Sequence, residues 1–328
     1  MNTPHPRIVI AGGSGFMGTH LTRHLLNQGY AVTILTRRPA VSTGHPLLTH
    51  AAWDGQTPGP WVRQLNDARA LINLAGRNVN CRYTKRNRDE ILYSRLDAVK
   101  VLGQALRDCD HPPGVWIHSS TLAIYGDRGD EPLTEDAPAG QTFSPDVARA
   151  WELATDNAVL PDMRKVILRI SFALGNDGGA LPMLARLARL GLGGSVGHGR
   201  QYYSLIHIQD VCNVVQWATE KPEMAGVYNV TSPQPVRNSE FMKLLRQALC
   251  RPWSPPAPRW AIHMGCFLMR TEAELALRPR QGIPARLQAM GFPFAYPTLE
   301  QAFEHLLTPV KPSGKPCCTL LISPERTA

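Results

Sequence analysis

The sequence predicts an α/β fold, a doubly wound parallel sheet with helices on both faces. Short apolar runs typical of buried strands alternate with amphipathic helical patterns along most of the chain. The clearest helical pattern covers 87–107, and further helices are predicted over about 146–159 and 210–219. The predicted strands lie at 8–11, 31–36, 51–53, 70–75, 115–119, 166–170 and 226–230.

A glycine motif between the first strand and the first helix is the second observation behind this fold. Residues 12–18 read GGSGFMG, which satisfies G-x-G-x-x-G in a strand–turn–helix–strand setting. Such glycines permit a tight turn and let a pyrophosphate approach the main-chain N–H groups at the helix start. The motif predicts a Rossmann-type dinucleotide site, although a glycine-rich turn that binds nothing is the alternative. The expected contacts are Gly12, Gly13, Ser14, Gly15, Phe16, Met17 and Gly18.

The end of the second strand indicates which dinucleotide binds. It reads Thr36-Arg37-Arg38, without the Asp or Glu that binds the ribose 2′-hydroxyl in NAD sites. Arginine is suited to bidentate phosphate binding, and no carboxylate repels a 2′-phosphate here. We therefore expect NADP(H) rather than NAD(H) as the cofactor. The alternative is that both arginines are ordinary solvated side chains.

A change in composition predicts two domains. Glycine and proline become dense after residue 173, so we assign 1–173 to the dinucleotide-binding domain, with 205–231 returning to its sheet. Residues 174–204 and 232–307 are expected to form a smaller C-terminal substrate domain. Residues 308–328 are expected to be a tail, either loose or partly ordered.

Composition excludes several classes of protein. No apolar run approaches the length of a membrane span, and the N-terminus lacks the apolar core of a signal peptide. Seven scattered cysteines without a C-x-x-C pair favour reduced thiols in a cytoplasmic protein with no metal site. The net charge of +9 is spread along the chain without a nucleic-acid-binding motif, so we expect no nucleic-acid partner. Nothing in the pattern indicates an oligomeric state.

Six segments together resemble a known family. In order and spacing they are similar to the extended short-chain dehydrogenase/reductases, and more narrowly to the atypical branch called the NAD-dependent epimerase family, which includes relatives of sugar-nucleotide epimerases. The resemblance extends from the N-terminus to about residue 307. The segments are GGSGFMG (12–18), LINLAG (71–76), SSTLAIYGD (119–127), LRISFALGNDGGAL (168–181), LIHIQDV (205–211) and YNVTSPQPV (228–236).

The resemblance implies roles for further residues. Asp54 would meet the adenine, and Ser119 joins the expected cofactor contacts. Thr121 matches the Ser/Thr that hydrogen-bonds the substrate oxygen in active relatives, and a hydroxyl that caps the end of a buried strand is the alternative. The cofactor's ribose would lie beside Leu74, Ala75 and Gly76.

The resemblance also implies a Tyr-x-x-x-Lys pair, which this chain lacks at the matching place. In such a pair the lysine lowers the tyrosine pKa, and the phenolate exchanges a proton while nicotinamide exchanges a hydride. Residues 145–152 contain neither Tyr nor Lys, and Val147 and Trp151 stand in their positions. Valine has no proton to transfer, and tryptophan donates only through its indole N–H.

Substitutes for that pair are conceivable in the same region. Tyr125 is expected to pack under its loop rather than face the substrate. The titratable side chains at Asp146, Arg149 and Glu152 are near the right place, but a charged helix face is usually solvated.

Four side chains are candidates for the substrate pocket. Arg169 ends a predicted strand, where ligands bind in open α/β sheets, and a structural ion pair is its alternative. Gln201 and Tyr203 could line the substrate side. His207 either faces the pocket or lies in the junction between the domains.

Two functions are compatible with these patterns. The first is an NADP(H)-binding reductase or nucleotide-sugar epimerase with a small-molecule substrate and an unusual proton donor. The second is a non-enzymatic NADP(H)-binding sensor or interaction protein, which the missing Tyr-Lys pair favours.

Overall fold

The computed structural model describes residues 5–39, 44–160, 163–251, 253–258, 264 and 280–307. Its strands are β1 (Arg7–Ala11), β2 (Ala31–Thr36), β3 (Leu48–Ala52), β4 (Ala70–Asn73), β5 (Val115–Thr121), β6 (Pro132–Leu133), β7 (Arg164–Ile170), β8 (Phe172–Leu174), β9 (Tyr202–Tyr203), β10 (Leu205–His207), β11 (Gly226–Val230), β12 (Val236–Arg237) and β13 (Gln281–Gly282). Its α-helices are α1 (Phe16–Asn27), α2 (Lys85–Arg107), α3 (Phe143–Asp156), α4 (Leu181–Arg189), α5 (Ile208–Glu220), α6 (Asn238–Ala248), α7 (Ala285–Ala289) and α8 (Leu299–Leu307). Two short 3₁₀ helices are η1 (Pro60–Gln64) and η2 (Leu122–Tyr125).

Seven strands form one parallel sheet in the order β3-β2-β1-β4-β5-β7-β11. The chain leaves the centre of the sheet in both directions, so that Ile10 of β1 lies between Ile34 of β2 and Ile72 of β4. The reversal creates a switch point at the carboxyl ends of β1 and β4, where ligands bind in open α/β sheets. The predicted Rossmann-type, doubly wound fold is confirmed.

Helices bury both faces of this sheet. Along β1, Ile8 and Ile10 pack in the same core as Leu25 of α1 and the apolar face of α5. Val9 packs on the opposite face, in a core with Leu102 of α2 and with α3. Because both faces are covered, the strands read as continuous apolar runs, which is why the sequence revealed them.

A third apolar core lies beside the sheet, among α4, α6 and α8. Phe241 of α6 is fully buried there, in edge contact with Phe303 at 5.3 Å and Tyr203 at 5.7 Å between ring centroids. The core joins elements from the two segments assigned to the smaller domain, although the division into domains stays a prediction. The predicted tail, 308–328, lies outside the described residues.

Helix caps and prolines decide where the observed boundaries differ from the predicted ones. α2 begins at Lys85 rather than 87, because the Thr84 hydroxyl accepts a hydrogen bond from the Asn87 N–H at 3.3 Å. α3 begins at Phe143 rather than 146, with Pro145 in the first turn, where no N–H needs a partner within the helix. β3 ends at Ala52, so Trp53 belongs to the following loop.

Candidate functional site

Two adjoining cavities open at the switch point of the sheet. The first has a volume of about 710 Å³ and the second about 470 Å³. Gly12, Gly15 and residues 74–78 line both of them. The first cavity continues to the ends of β2 and β3, whereas the second continues to the ends of β5 and β7. Because they share these lining residues, the two cavities form one cleft along the carboxyl ends of the strands.

The glycine turn fits a dinucleotide. Gly12 has a φ of +79°, a backbone conformation that favours glycine. A Cβ there would also lie 2.9 Å from the Leu74 carbonyl, so both the backbone angle and the lack of space require glycine. A Cβ at Gly18 would lie 2.5 Å from the Gly13 carbonyl oxygen, because α1 packs directly against the turn. Gly15 differs: a Cβ there would meet only the Gly12 oxygen, at 3.7 Å, in the open cleft.

The start of α1 is prepared for an anion. Gly15 is its N-cap and offers no side-chain hydrogen bond, and the first turn has no acidic residue. The first main-chain N–H groups of the helix therefore face the cleft without a side-chain acceptor, where the helix dipole favours phosphate. Ser14 lines the first cavity, and Phe16, Met17 and Gly18 line the second. Gly13 lines neither of the two, since a Cβ there would lie 3.0 Å from Ile34 in the core.

At the far end of the first cavity, polar residues follow β2 and β3. Thr36 and Arg37 line it together with Asp54, whereas Arg38, which is exposed like Arg37, does not. The Asp54 carboxylate accepts hydrogen bonds from the Thr57 hydroxyl at 2.6 Å and from the N–H groups of Thr57 and Gln56, both at 2.8 Å. These bonds lower the Asp54 pKa to about 2, so its negative charge is maintained at the cavity wall.

The Asn73 side chain stabilises the loop after β4 through a hydrogen bond, and sequence analysis missed this residue. Its side-chain oxygen accepts a hydrogen bond from the Ala75 N–H at 3.0 Å and fixes the turn that presents Leu74, Ala75 and Gly76. Asn73 is fully buried beside His118. The available signal was one Asn, a residue type that favours turns, within the otherwise apolar run predicted as a strand over 70–75.

The second cavity brings together the catalytic candidate Thr121, the expected cofactor contact Ser119 and the two positions of the missing Tyr-Lys pair. Ser119 and Thr121 line it from the end of β5, and Val147 and Trp151 line it from α3. The Thr121 hydroxyl accepts a hydrogen bond from the Ala123 N–H at 3.1 Å and so caps η2. Its own hydrogen is still able to donate, because a hydroxyl carries both functions. The structure therefore shows the capping alternative for Thr121, and the contact with a substrate oxygen stays a prediction.

Arg169 belongs to a buried ion pair and lines neither of the two cavities. Its guanidinium donates to both oxygens of Glu152, at 3.0 and 2.8 Å, and to the Tyr125 hydroxyl at 2.8 Å. The prediction that Arg169 lines the substrate pocket is thus corrected to its structural alternative. Glu152 is buried, which corrects the expectation of a solvated charge. Tyr125 is fully buried, as expected, and burial raises the pKa of its hydroxyl.

Of the remaining pocket candidates, Tyr203 lines the second cavity, whereas Gln201 and His207 line neither of the two. Tyr203 lines the second cavity, and burial raises its pKa to about 12. Gln201 is buried, donates to the Val196 carbonyl at 2.9 Å and lines neither of the two cavities. His207 caps α5 by accepting from the Gln209 N–H at 3.0 Å and stacks on Tyr296 at 3.9 Å. His207 lines neither of the two cavities, so it is not placed in the pocket, and its position at a domain junction stays a prediction together with the domain division. Burial lowers its pKa to about 3.

Arg95 is a cavity residue that sequence analysis did not identify. It lines the second cavity from α2, with its Cζ atom 4.9 Å from the centre of the Trp151 ring. In the sequence it is one of many charges on an amphipathic helix, a pattern that indicates solvated side chains.

The described part of the chain contains neither a membrane-spanning helix nor a cluster of metal-ligating side chains. None of its helices is long and apolar enough to cross a membrane. Its His, Cys, Asp and Glu side chains form no group of three or more that could hold a metal ion.

The fold and cleft define an α/β protein of the short-chain dehydrogenase/reductase type. The model of the NAD dependent epimerase/dehydratase family matches residues 8–231, and the chain belongs to this family. A second model, a domain of unknown function (DUF1731), matches residues 257–306. The resemblance drawn from the sequence motifs is confirmed.

Named relatives match almost the whole chain. Epimerase family protein YfhF of Bacillus subtilis (strain 168) is 31% identical over 304 residues, which cover 92% of this chain and 97% of that protein. Epimerase family protein SDR39U1 of Bos taurus is 32% identical over 308 residues, which cover 92% of this chain and 99% of that protein. The crystal structure of human SDR39U1 (isoform 2) with NADPH superimposes with a TM-score of 0.80 at 30% identity, covering 92% of this chain and 99% of that chain.

Proposed function

We propose that this chain binds NADP(H) in the cleft and acts as a reductase or epimerase on a small molecule bound in the second cavity. The observation behind the proposal is the uncapped start of α1 at Gly15, in a cleft that also reaches Arg37. The turn would hold the pyrophosphate, and Arg37 would hold the 2′-phosphate. The NADPH in the human SDR39U1 crystal structure supports the same cofactor here.

The bound cofactor would supply or accept a hydride, and the chain would position the substrate. The Thr121 hydroxyl is the group suited to hold a carbonyl or hydroxyl oxygen of the substrate, because it lines the second cavity and retains its hydrogen for donation. Val147 and Trp151, which also line this cavity, offer no side chain that exchanges a proton. The proton is therefore exchanged with another group or with water, which predicts slow turnover.

NADPH oxidation against a panel of carbonyl compounds and nucleotide sugars tests this proposal. Thr121→Ala is expected to lower kcat/KM by about a hundredfold, the effect typical of removing one oriented hydrogen-bond donor. Thr121→Ser is the matched control and should retain most activity, since it keeps the hydroxyl. Both variants should bind NADPH as the wild type does. Absence of turnover by NADPH-loaded wild-type protein across the panel would contradict the enzymatic proposal.

Val147 and Trp151, which offer no side chain that exchanges a proton, favour a second candidate function, that of a non-enzymatic NADP(H) sensor. A sensor must differ between its two ligand states in partner affinity or self-association. Size-exclusion chromatography and pull-downs with NADP⁺ or NADPH would show that difference. Identical behaviour with both forms would rule out sensing.

A cytoplasmic location, in which the cofactor and reduced thiols both occur, remains part of the proposal.

A further inference from the structure

Arg95 brings a positive charge without an acidic partner to the wall of the second cavity. Its Nη1 atom donates to two neutral groups, the carbonyls of Ile91 at 2.8 Å and Arg77 at 3.1 Å. The neighbouring acid on α2, Glu90, pairs instead with Arg77 and Arg86. Across the described ranges, no carboxylate lies within ion-pair distance of Arg95. Burial lowers the Arg95 pKa to about 10, which still leaves the side chain charged at neutral pH.

Two rigid walls hold this guanidinium in place. One is the Trp151 ring, 4.9 Å from the Cζ atom. The other is the main chain at Gly76, where a Cβ would lie 3.1 Å from the same Cζ atom. Gly76 and its neighbours line both cavities, so the charge lies beside the passage from the first cavity into the second. A partly buried cation that has no acidic partner and is held between two walls is costly to maintain, which points to a ligand rather than to packing.

The order of the two cavities indicates which half of the cofactor would lie near Arg95. Arg37, the proposed partner of the 2′-phosphate, lines only the first cavity of the two. The adenosine half of the cofactor would therefore occupy the first cavity, and the nicotinamide half would extend into the second. Arg95 lines the second cavity only, next to Trp151, which stands where the family resemblance implies a lysine.

We propose that Arg95 acts at the nicotinamide end of the cofactor site and makes the chain prefer NADPH over NADP⁺. This inference rests on the proposed binding of NADP(H). The oxidised nicotinamide ring carries a positive charge, whereas the reduced ring is neutral. A fixed guanidinium in a partly desolvated cavity repels the oxidised ring and leaves the reduced ring unaffected. Its remaining N–H groups are able to donate to ribose hydroxyls in both states.

Dissociation constants of the full-length protein for NADPH and NADP⁺, measured by calorimetric titration, test the proposal. The wild type is expected to bind NADPH at least about tenfold more tightly than NADP⁺, a ratio equal to about 1.4 kcal/mol. Arg95→Met keeps the side-chain length but removes the charge, and it should bring that ratio close to one. Arg95→Lys keeps the charge and should retain most of the preference.

Arg88→Met is the matched control. Arg88 also lies on α2, places its guanidinium 5.0 Å from the centre of an aromatic ring, Phe143, and donates to a main-chain carbonyl at 3.0 Å. It is exposed and lines neither of the two cavities, so its removal should leave the ratio of dissociation constants as in the wild type.

Thermal unfolding of the ligand-free proteins separates a ligand-binding role from a structural one. Arg95→Met should unfold at a temperature no lower than the wild type, because it removes a partly buried charge that has no acidic partner. A lower unfolding temperature with an unchanged ratio would assign Arg95 to packing and overturn the proposal. Equal binding of both cofactor forms by the wild type would overturn it without any variant. Failure of the wild type to bind either form would instead refute the proposed function.

Discussion

At the scale of single residues, two adjacent arginines occupy different environments. Arg37 lines the first cavity together with Thr36 and Asp54. Arg38 lines neither of the two cavities, although both arginines are exposed, and its main-chain N–H donates to the Thr36 hydroxyl at 3.3 Å. The sequence assigned both to the 2′-phosphate, because adjacent residues after a strand cannot be separated without knowing which one faces the cleft.

This difference predicts unequal effects of two otherwise identical substitutions. Arg37→Ala is expected to weaken NADPH binding by about tenfold or more, since a charge-assisted phosphate contact contributes on the order of 1.5–3 kcal/mol. Arg38→Ala should change NADPH affinity little. Neither substitution should alter NADH affinity, because NADH lacks the 2′-phosphate. Equal losses of NADPH affinity in both variants, measured by fluorescence titration, would contradict the assignment of Arg37.

Buried ion pairs explain why other site residues could not be predicted. Arg169 and Glu152 come from β7 and α3, and each alone reads as an ordinary charged residue. Their pairing depends on how α3 packs against the sheet, which no local pattern contains. Arg95 escaped notice for the same reason, because only the packing of α2 on α3 brings it to Trp151.

At the scale of elements, the start of α1 shows two kinds of glycine requirement. Gly18 is required by the fold, because a Cβ would meet the Gly13 carbonyl at 2.5 Å. Gly15 has room for a Cβ in the ligand-free chain, and its φ of −82° suits any residue. The fold therefore does not require glycine at position 15, and we expect a requirement there to come from a cofactor that approaches the main chain.

A pair of alanine substitutions should separate these requirements. Gly18→Ala is expected to lower the free energy of unfolding by about 1–3 kcal/mol, the usual cost of overpacking, and to abolish NADPH binding. Gly15→Ala should leave the free energy of unfolding nearly unchanged but weaken NADPH binding strongly. Urea unfolding and NADPH titration of both variants provide the measurements. If Gly15→Ala bound NADPH normally, the phosphates would not lie at this turn.

The elements that were predicted well share a physical cause. Strands buried on both faces and long amphipathic helices produce strong periodic signals, and β11 was predicted with its observed limits, 226–230. The two-residue strands β9 and β12 produce no such signal. They form because the chain around them is already folded, so only tertiary structure reveals them.

At the scale of the whole molecule, two imidazoles are buried as neutral groups in separate cores. Burial lowers the pKa of His118 to about 3 and that of His207 to about 3. His118 is fully buried between Asn73 and Trp151, and its Nε2 atom has no hydrogen-bond partner. Both groups would take up protons freely in the unfolded chain, where the pKa of histidine is about 6.5.

Acid should therefore destabilise the folded chain in a defined window. Between pH 6.5 and pH 3 the unfolded state binds more protons than the folded state, so stability rises with pH and is lost as pH falls. Each imidazole contributes a slope of about 1.4 kcal/mol per pH unit within that window. His118→Phe keeps the ring contact with Trp151 and should remove one of the two contributions. Urea unfolding at half-unit pH steps measures the slope.

Salt distinguishes this burial effect from repulsion among surface charges. The net charge of +9 grows as carboxylates protonate, and the resulting repulsion also destabilises the chain in acid. Half-molar salt screens repulsion between exposed charges but leaves the desolvation of a buried imidazole almost unchanged. The difference in slope between the wild type and His118→Phe should therefore persist in high salt. Its disappearance there would attribute acid sensitivity to the surface and refute the role of His118.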